Sequence, residues 1–380
     1  MKHLLLVVCL IASGCQSVPH PPVEPPKMPT FDYAVDAAYD IPEPRALIAL
    51  SSEQIEQLEH FKQQSNISSL HPNRQVAEFV GQRLVNFNYE GMNYGASEAL
   101  ELNRGNCMSL ALLTYAIAEQ FDVDVAFQVM HTMPMLLDVT NRYAVVSDHV
   151  RTFLYEIPIE GERTYVFGNN RITVDFFPER YDRGGKTIGK DIFFAMLYRN
   201  LAADALLKND LPLAYVLLKE SFVFSEHYAP SINMMAVVLR RLGYEDNAES
   251  LYRYGLEVSE SKVTLLSNYH YLLARQGRTA DALAIKSQLL ELNDTSPYNW
   301  YLVAQDSIAK GDYPSAKIFL KKFIDNTHYF HKAYFDLAKV HTQLGEPEQA
   351  KIAMLKALDY AAEPKNKQRY QAKLTWLNSR

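Results

Sequence analysis

The chain has 380 residues, of which 48% are hydrophobic and 22% charged, and its formal net charge is −6. This balance is ordinary for a globular protein and lacks the basic surplus that nucleic-acid binding requires. After the first fifteen residues, no stretch reaches the roughly 18 uncharged apolar residues that a membrane-spanning helix needs.

The chain begins with the pattern of a targeting signal. Lys2 and His3 precede an apolar run from Leu4 to Ile11, and the small residues 12–14 then lead into Cys15. A short apolar run of this kind is typical of a signal peptide rather than a mature helix. Small residues directly before a cysteine resemble the lipobox of bacterial lipoproteins. The resemblance implies a signal peptide over residues 1–14 and lipidation of Cys15, whose several acyl chains would hold the protein on a membrane.

Residues 15–44 are predicted to form a tether behind the lipidated cysteine. Six prolines lie between residues 19 and 29, and such a stretch forms a stiff, extended spacer rather than a core. Gln16 stands where lipoproteins retained at the inner membrane usually carry aspartate. We therefore expect a lipid-anchored protein of the cell envelope, on the outer membrane and facing the periplasm.

The cysteine count draws attention to one thiol. The chain has three cysteines, of which Cys9 lies in the predicted signal peptide and Cys15 is the predicted lipidation site. Cys107 is therefore expected to remain a thiol in the mature protein. In an oxidising compartment such a thiol is expected to be buried or used chemically.

Residues 45–198 are predicted to form an α+β domain. Ser51 and Gln54 make the pattern of a capping box at the start of a helix, and further helices are predicted over residues 73–85, 96–102 and 110–120. The hydrophobic period then changes to two, which is typical of strands. These strands are predicted over residues 123–129, 143–155, 165–168 and 172–176, and a flexible loop over residues 180–186.

Three side chains in this domain suggest nucleophilic chemistry. Cys107 lies at the start of the apolar helix, after a bend that Gly105 permits. The positive end of a helix dipole favours a thiolate there. A histidine on a later strand, His149, would take the proton, and a carboxylate on the last strand, Asp175, would orient the imidazole.

The string Arg104-Gly105-Asn106-Cys107-Met108-Ser109, with His149 and Asp175 downstream, resembles the bacterial transglutaminase-like superfamily. It is most similar to a branch that joins this domain to tetratricopeptide repeats. The resemblance spans roughly residues 75–198 and implies a papain-like fold. It also implies that Cys107 is the nucleophile, that His149 is the base and acid, and that Asp175 is the orienting group.

Several assignments stay open at this stage. His131 is the alternative histidine. The alternative acids are Asp148 and Asp182, although Asp148 should point to the opposite face of its strand from His149. The aromatic residue that often follows the cysteine in animal transglutaminases is missing, and the candidate side chains for binding an oxyanion are Asn103 and Asn106.

The C-terminal half repeats at a constant period. Gly243, Gly277, Gly311 and Gly345 are evenly spaced with Asn209 in the same register, and an alanine follows five residues later each time, at positions 214, 248, 282, 316 and 350. The period is about 34 residues, and together with its helix–turn–helix pattern it is the signature of tetratricopeptide repeats. We predict five repeats over residues 199–361, an all-α solenoid, with a polar capping helix over residues 362–380. Lys286 breaks the apolar pattern of the third repeat, which predicts a looser unit or a local function.

Two functions from different classes follow from these features. The first is an enzyme, a cysteine peptidase, amidase or acyltransferase that acts on a peptide or amide bond of a protein recruited by the repeats. The alternative is a non-catalytic envelope scaffold that binds protein or peptide partners through the repeats. A redox-sensing role for Cys107 is a third hypothesis, for which the chain offers no second cysteine to resolve an oxidised state. We expect no cofactor, no metal and no nucleic-acid partner.

Overall fold

The structure is a computed structural model that describes residues 26–35, 38–85, 87–89, 92–131, 136–140, 143–146, 149–155, 171–175, 183–292, 297–327, 330–361 and 364–378. An α+β part is followed along the chain by a helical repeat. No helix in these ranges combines the length and the apolar character needed to cross a membrane. The predicted signal peptide, Cys15 and the predicted strand at residues 165–168 lie outside the described residues.

Five helices precede the main sheet. The capping box predicted at Ser51 is confirmed, because its hydroxyl accepts from the backbone N–H of Gln54 and the Gln54 side chain accepts from the backbone N–H of Ser51. The helices are α1 (Pro44–Ile48), α2 (Ser52–Lys62), α3 (Pro72–Leu84), α4 (Ala96–Leu102) and α5 (Cys107–Gln120).

Eight strands are described in this part: β1 (Asn88–Tyr89), β2 (Arg104–Gly105), β3 (Val125–His131), β4 (Leu136–Thr140), β5 (Tyr143–Val146), β6 (His149–Tyr155), β7 (Arg171–Val174) and β8 (Arg183–Ile188). Four of them form an antiparallel sheet in the order β7-β6-β3-β8. Strands β1 and β2 pair in parallel, while β4 and β5 form a separate hairpin, of which β5 contacts the helical repeat.

Two sequence predictions are corrected by the sheet. The single strand predicted over residues 143–155 is divided into β5, which pairs with β4, and β6, which pairs with β3. The loop predicted over residues 180–186 contains most of the edge strand β8. Glycines do not prevent this pairing because a ladder uses backbone groups, and the Gln128 side chain also donates to the carbonyl of Gly185 at 2.7 Å.

Helix α5 is buried along nearly its whole length because it is enclosed on several sides. Twelve of its fourteen residues are buried. Phe127 of β3 stacks on Phe193 at a centroid distance of 3.8 Å and meets Tyr115 of α5 edge-on. On the other side, Leu110 and Ile117 join a second core that includes Phe61 and other residues of α2 and α3.

The solenoid follows the predicted register. Its helices are α6 (Lys190–Leu207), α7 (Leu211–Phe224), α8 (Ala229–Leu242), α9 (Glu245–Val258), α10 (Val263–Arg275), α11 (Thr279–Glu291), α12 (Pro297–Ala309), α13 (Tyr313–Asn326), α14 (His331–Gln343) and α15 (Pro347–Tyr360). The turn residues, Asn209 and the four register glycines, all have left-handed backbones with φ between 63° and 93°. Asparagine tolerates this conformation better than most residues, which explains why Asn209 replaces glycine in the first turn. The five register alanines are buried, with exposures of 0–4%.

The end of the solenoid is covered by α16 (Pro364–Asn378), close to the predicted capping helix. This helix packs on α15 and buries Tyr370, Leu374 and Leu377. At its other end the solenoid merges with the α+β part, because the predicted boundary at residue 198 falls inside α6.

Lys286 has a structural explanation. Its ammonium group lies 2.8 Å from a carboxylate oxygen of Asp312, in the turn of the next repeat. Burial alone would raise the pKa of Asp312, but the hydrogen bonds from Lys286 and Ser315 and the charge of Lys286 together outweigh burial and lower that pKa. The residue that interrupts the apolar pattern thus connects the third repeat to the fourth.

The second half of the predicted tether packs on the first repeat. Phe31 meets Tyr215 and Phe222 of α7 edge-on, and Tyr33 contacts Tyr215 at a centroid distance of 5.4 Å. The Tyr198 hydroxyl donates to the backbone carbonyl of Pro42 at 2.6 Å. Residues 28–35 and 38–42 are therefore an aromatic strap along α6 and α7 rather than a free spacer.

Candidate functional site

Cys107 is the first residue of α5, as the sequence predicts. It is a reduced thiol with 5% exposure. Asn106 caps the helix, since its side-chain oxygen accepts from the backbone N–H of Ser109 at 2.9 Å. The thiol thus stands at the positive end of the helix, next to N–H groups of the first turn.

A tight turn holds this helix start in place. Gly105 has φ +148°, and a Cβ built on it would lie 2.7 Å from Cβ of Ser109. The space that a side chain would need is taken by Ser109, whose hydroxyl accepts from the backbone N–H of Tyr94 at 2.7 Å. Glycine is therefore required at position 105 for both conformation and space.

A chain of hydrogen bonds extends from the helix cap to the solenoid. The Asn106 side chain donates to the side-chain oxygen of Asn93 at 2.8 Å, and Asn93 donates to a carboxylate oxygen of Asp204 at 2.7 Å. Burial raises the pKa of Asp204. Because Asp204 belongs to α6, these contacts tie the thiol helix to the first repeat.

These contacts also bear on the two candidates for an oxyanion donor. Asn106 uses its oxygen as a helix cap and donates an N–H to Asn93. Asn103 has φ 50° and forms the left-handed C-cap of α4. Each asparagine therefore has a structural role. No described contact assigns either of them to the binding of an oxyanion.

A small pocket opens beside Cys107, between α5 and the sheet. Its free volume is about 10 Å³, and it is lined by Cys107, Leu110, Ala111, Thr114, Val150, Thr152 and Val174. A volume of about 10–15 Å³ holds one water molecule. This pocket therefore has room for about one water molecule beside the thiol.

The other two predicted site residues are neighbours in the chain of residues that line this pocket. His149 is the first residue of β6, paired with Met130, and the next residue, Val150, lines the pocket. Asp175 directly follows Val174, which lines it as well. Successive residues of a strand face opposite sides of a sheet, so this adjacency does not by itself bring the three side chains together, and of His149 only the backbone is described.

The Asp175 carboxylate has a cationic neighbour on the adjacent strand. It lies 3.9 Å from the Arg151 guanidinium, and its side chain is 12% exposed. Arg151 also donates to the Gln128 side chain at 2.8 Å. Arg151 on β6 thus holds the Asp175 carboxylate directly after the end of β7.

Of the alternative residues, only the backbone of His131 is described. His131 ends β3, where its backbone pairs with Arg183 of the edge strand. Asp148 and Asp182 lie outside the described residues. The pocket adds two residues that the sequence analysis missed, Thr114 and Thr152. The first was detectable, because Thr114 lies seven residues after Cys107 and therefore on the same helix face.

A second candidate surface runs along the first helices of successive repeats. Asn268 of α10 donates to Asn233 of α8 at 2.9 Å. Further along, Tyr301 and Gln305 of α12 both donate to Asp336 of α14, at 2.9 and 2.7 Å. Polar side chains therefore link neighbouring helices across this surface.

Tyr271 is the centre of this surface. The buried residues of α10 are Val263, Leu265, Leu266, Tyr269, Leu272 and Leu273. At about 100° per residue, Tyr271 lies on the opposite side of the helix. The Arg240 guanidinium lies 4.8 Å and the Lys310 ammonium 4.7 Å from its ring centroid. This half-buried ring and its two cations form what we call the Tyr271 cluster.

Comparison with known proteins agrees with the helical repeat. The family model for the tetratricopeptide repeat matches residues 331–364, a range that contains α14 and α15. The chain therefore contains tetratricopeptide repeats, as the regular spacing of its glycines and alanines predicts. No curated protein matches the chain.

Solved structures that resemble the chain cover only about half of it. PilW, a widely conserved type IV pilus biogenesis factor, is 17% identical over 47% of this chain and 91% of its own, with a TM-score of 0.31. Pseudomonas aeruginosa pilF is 16% identical over 50% and 94%, with a TM-score of 0.32. MamA from Desulfovibrio magneticus is 16% identical over 45% and 96%, with a TM-score of 0.29. TM-scores this low support no conclusion about function.

Proposed function

We propose that this protein is an adaptor that binds a protein or peptide segment. The binding surface runs along the first helices of successive repeats and is centred on the Tyr271 cluster. The Tyr271 cluster is the observation that carries the proposal. A rigid aromatic ring flanked by cations, on the side of the helix away from the core, has the composition of a binding hot spot. The polar side chains beside it supply hydrogen bonds for a peptide backbone or an acidic side chain.

Site-specific photo-crosslinking in intact cells tests this proposal. A benzophenone amino acid at position 271 should crosslink to a protein partner. The matched control places the same group at Leu283, which is 58% exposed on α11, the second helix of the same repeat. Crosslinking at position 271 alone supports the adaptor, and Tyr271→Ala should weaken affinity for the captured partner at least about tenfold. Equal crosslinking at both positions, or none at 271, contradicts the proposal.

A second function is supported by the pocket beside Cys107. In this proposal the Cys107 sulfur attacks the carbonyl carbon of an amide or ester, and the new C–S bond replaces the bond to the leaving group. His149 takes the thiol proton and delivers it to that group, while Asp175 orients the imidazole. Water or an amine then resolves the acyl-enzyme. The support is that Cys107 lines a small pocket at a helix start, and that His149 and Asp175 are chain neighbours of Val150 and Val174, which also line it.

Labelling with a carbonyl-directed thiol probe tests this chemistry. Wild type should label at Cys107 near neutral pH, and His149→Ala should label at least about a hundredfold more slowly, the lower range for acid–base catalysis. His131→Ala is the matched control and should label like the wild type. Equal labelling of wild type and His149→Ala would reject the triad and leave the adaptor as the sole function.

Membrane attachment through Cys15 is part of the same proposal. Its support is the lipobox-like sequence, followed by prolines and then by the strap that packs on the first repeat. Cys15→Ser should move the protein from the membrane fraction to the soluble fraction. An unchanged distribution would reject the anchor.

A further inference from the structure

The exposed side of the capping helix α16 carries an aromatic ring among positive charges. The helix contains four cations, Lys365, Lys367, Arg369 and Lys373, and no acidic residue, in a chain whose net charge is −6. All four are exposed, and Trp376 of the same helix is 41% exposed. A polar outer face on a terminal helix keeps a solenoid soluble, but that role does not require an exposed tryptophan.

The tryptophan and three of the cations share one side of the helix. At about 100° per residue, Lys365, Arg369 and Trp376 lie within about 40° of one another, and Lys373 lies beside them. The buried residues of α16 lie on another side, where the helix packs on α15. The Lys373 ammonium group lies 5.8 Å from the Trp376 ring centroid. We call Lys365, Arg369, Lys373 and Trp376 the α16 face.

The charges of the α16 face are not balanced by carboxylates. Among the residues that the structure describes, no ion pair involves Lys365, Arg369 or Lys373. The Arg369 guanidinium lies 4.8 Å from the ring centroid of Phe335, an aromatic contact that leaves its charge in place. Two copies of this face would repel each other, because like charges would meet. The face is therefore complementary to a negatively charged surface rather than to itself.

We propose that the α16 face is a docking surface for an anionic membrane. Lysine and arginine are attracted to anionic lipid headgroups. Tryptophan favours the boundary between headgroups and acyl chains, where both its apolar ring and its N–H group are accommodated. Because the rest of the chain is acidic, such a membrane attracts this end of the solenoid and repels the remainder. The contact thus orients the protein, and it does not depend on the proposed lipid anchor.

Vesicle binding with the indole as reporter tests this proposal. A chain that begins at Gln16 keeps every described residue and carries no lipid, so the assay is independent of the anchor. The protein has two tryptophans, and Trp300 is only 2% exposed. A change of tryptophan emission on binding therefore reports Trp376. The probes are vesicles of phosphatidylglycerol mixed with phosphatidylcholine, and vesicles of phosphatidylcholine alone.

The mixed vesicles should bind the chain much more tightly than pure phosphatidylcholine, and added salt should weaken that binding. The emission should shift to shorter wavelength and be quenched by brominated acyl chains. Trp376→Phe should remove both signals. Each cation near such a surface contributes about fivefold to the partition coefficient. Replacing Lys365, Arg369 and Lys373 together by Gln should therefore weaken binding by well over tenfold.

The matched control removes the same charge from other parts of the surface. Arg45, Arg74 and Lys219 are exposed outside α16, and replacing these three by Gln should change binding by less than about twofold, since the α16 face is intact. Circular dichroism and Tm should be the same for both triple variants and the wild type, because all six side chains are exposed.

Three results would overturn the proposal. The first is a failure of the mixed vesicles to bind the chain, or equal losses of binding in the two triple variants. The second is binding without a shift or quenching of the emission, which would show that Trp376 does not enter the lipid boundary. The third is binding to polyglutamate but not to the vesicles, which would assign the α16 face to an acidic protein partner. None of these results bears on the lipid anchor, which the Cys15→Ser fractionation tests separately.

Discussion

The turn before Cys107 allows a quantitative test of why its residue is glycine. In Gly105→Ala, the new methyl group meets two obstacles. The backbone has φ +148°, and the Cβ would lie 2.7 Å from Cβ of Ser109. Strain in this region of backbone space costs about 1–3 kcal/mol, and overpacking against a fixed neighbour costs about 1–3 kcal/mol more. We expect a loss of about 3 kcal/mol or more in the free energy of unfolding.

Two other glycines provide matched controls for the same chemical change. Gly243 has φ +93° but no atom within 4 Å of a built Cβ. Gly243→Ala should therefore lower the free energy of unfolding only through backbone strain, by about 1–2 kcal/mol. Gly81 lies inside α3 with no such atom within 4 Å and no positive φ. Gly81→Ala should therefore stabilise the protein by about 0.5–1 kcal/mol.

Urea unfolding followed by circular dichroism gives these free energies, and hydrogen exchange of α3, α5 and α8 assigns each change to its own region. Gly105→Ala should also accelerate exchange in the first turn of α5. If Gly105→Ala costs no more than Gly243→Ala, the clash with Ser109 is not real and the steric argument for this turn is refuted.

Three further predictions use the same unfolding assay. Phe127→Ala removes the ring stacked on Phe193 at 3.8 Å and should cost about 3–5 kcal/mol, so a loss below about 1 kcal/mol would contradict that packing. Asp210→Ala removes the side-chain cap of α7 and should cost about 1 kcal/mol, whereas Asp210→Asn should cost less. Burial alone would raise the pKa of Glu249, but hydrogen bonds led by that of Arg278 hold it below its ordinary value. Its contribution to stability is therefore complete above the unfolded-state pKa and is lost as the pH falls through the lower folded value. Glu249→Gln should therefore flatten the stability profile in the acidic range below the unfolded-state pKa of about 4.3; an unchanged profile would contradict this.

The solenoid could be predicted from the sequence because its determinants are local. Each turn needs a residue that tolerates a left-handed backbone, and each helix pair needs a small residue where the two helices meet. Both recur in every repeat at the same spacing, so Gly243 and Ala248 reveal their roles without any knowledge of the fold. The same reasoning identified the start of α5 at Cys107, since a bend and a cap are also local signals.

The sheet and the strap could not be predicted in the same detail. Whether residues 143–155 form one strand or two depends on which partners their backbones find, and the side-chain pattern does not encode that choice. Residues 183–188 contain adjacent glycines, which indicate a loop, yet an edge strand needs only backbone pairing on one side. The prolines predict an extended chain, but the aromatic side chains of Phe31 and Tyr33 determine where its described part lies.

Helix α6 makes the thiol site and the solenoid parts of one structure. It is the first helix of the first repeat, yet Phe193 stacks on the sheet and Asp204 completes the amide chain to Asn106. A truncation at residue 198 would divide this helix, remove Asp204 and expose the apolar face of α5. Loss of Cys107 reactivity after such a truncation would therefore say nothing about recruitment by the repeats. Asp204→Asn is more informative, because it keeps the shared core and changes only the group that orients Asn93. If the amide chain positions the helix cap, this variant should alter the reactivity of Cys107 while leaving crosslinking at position 271 intact.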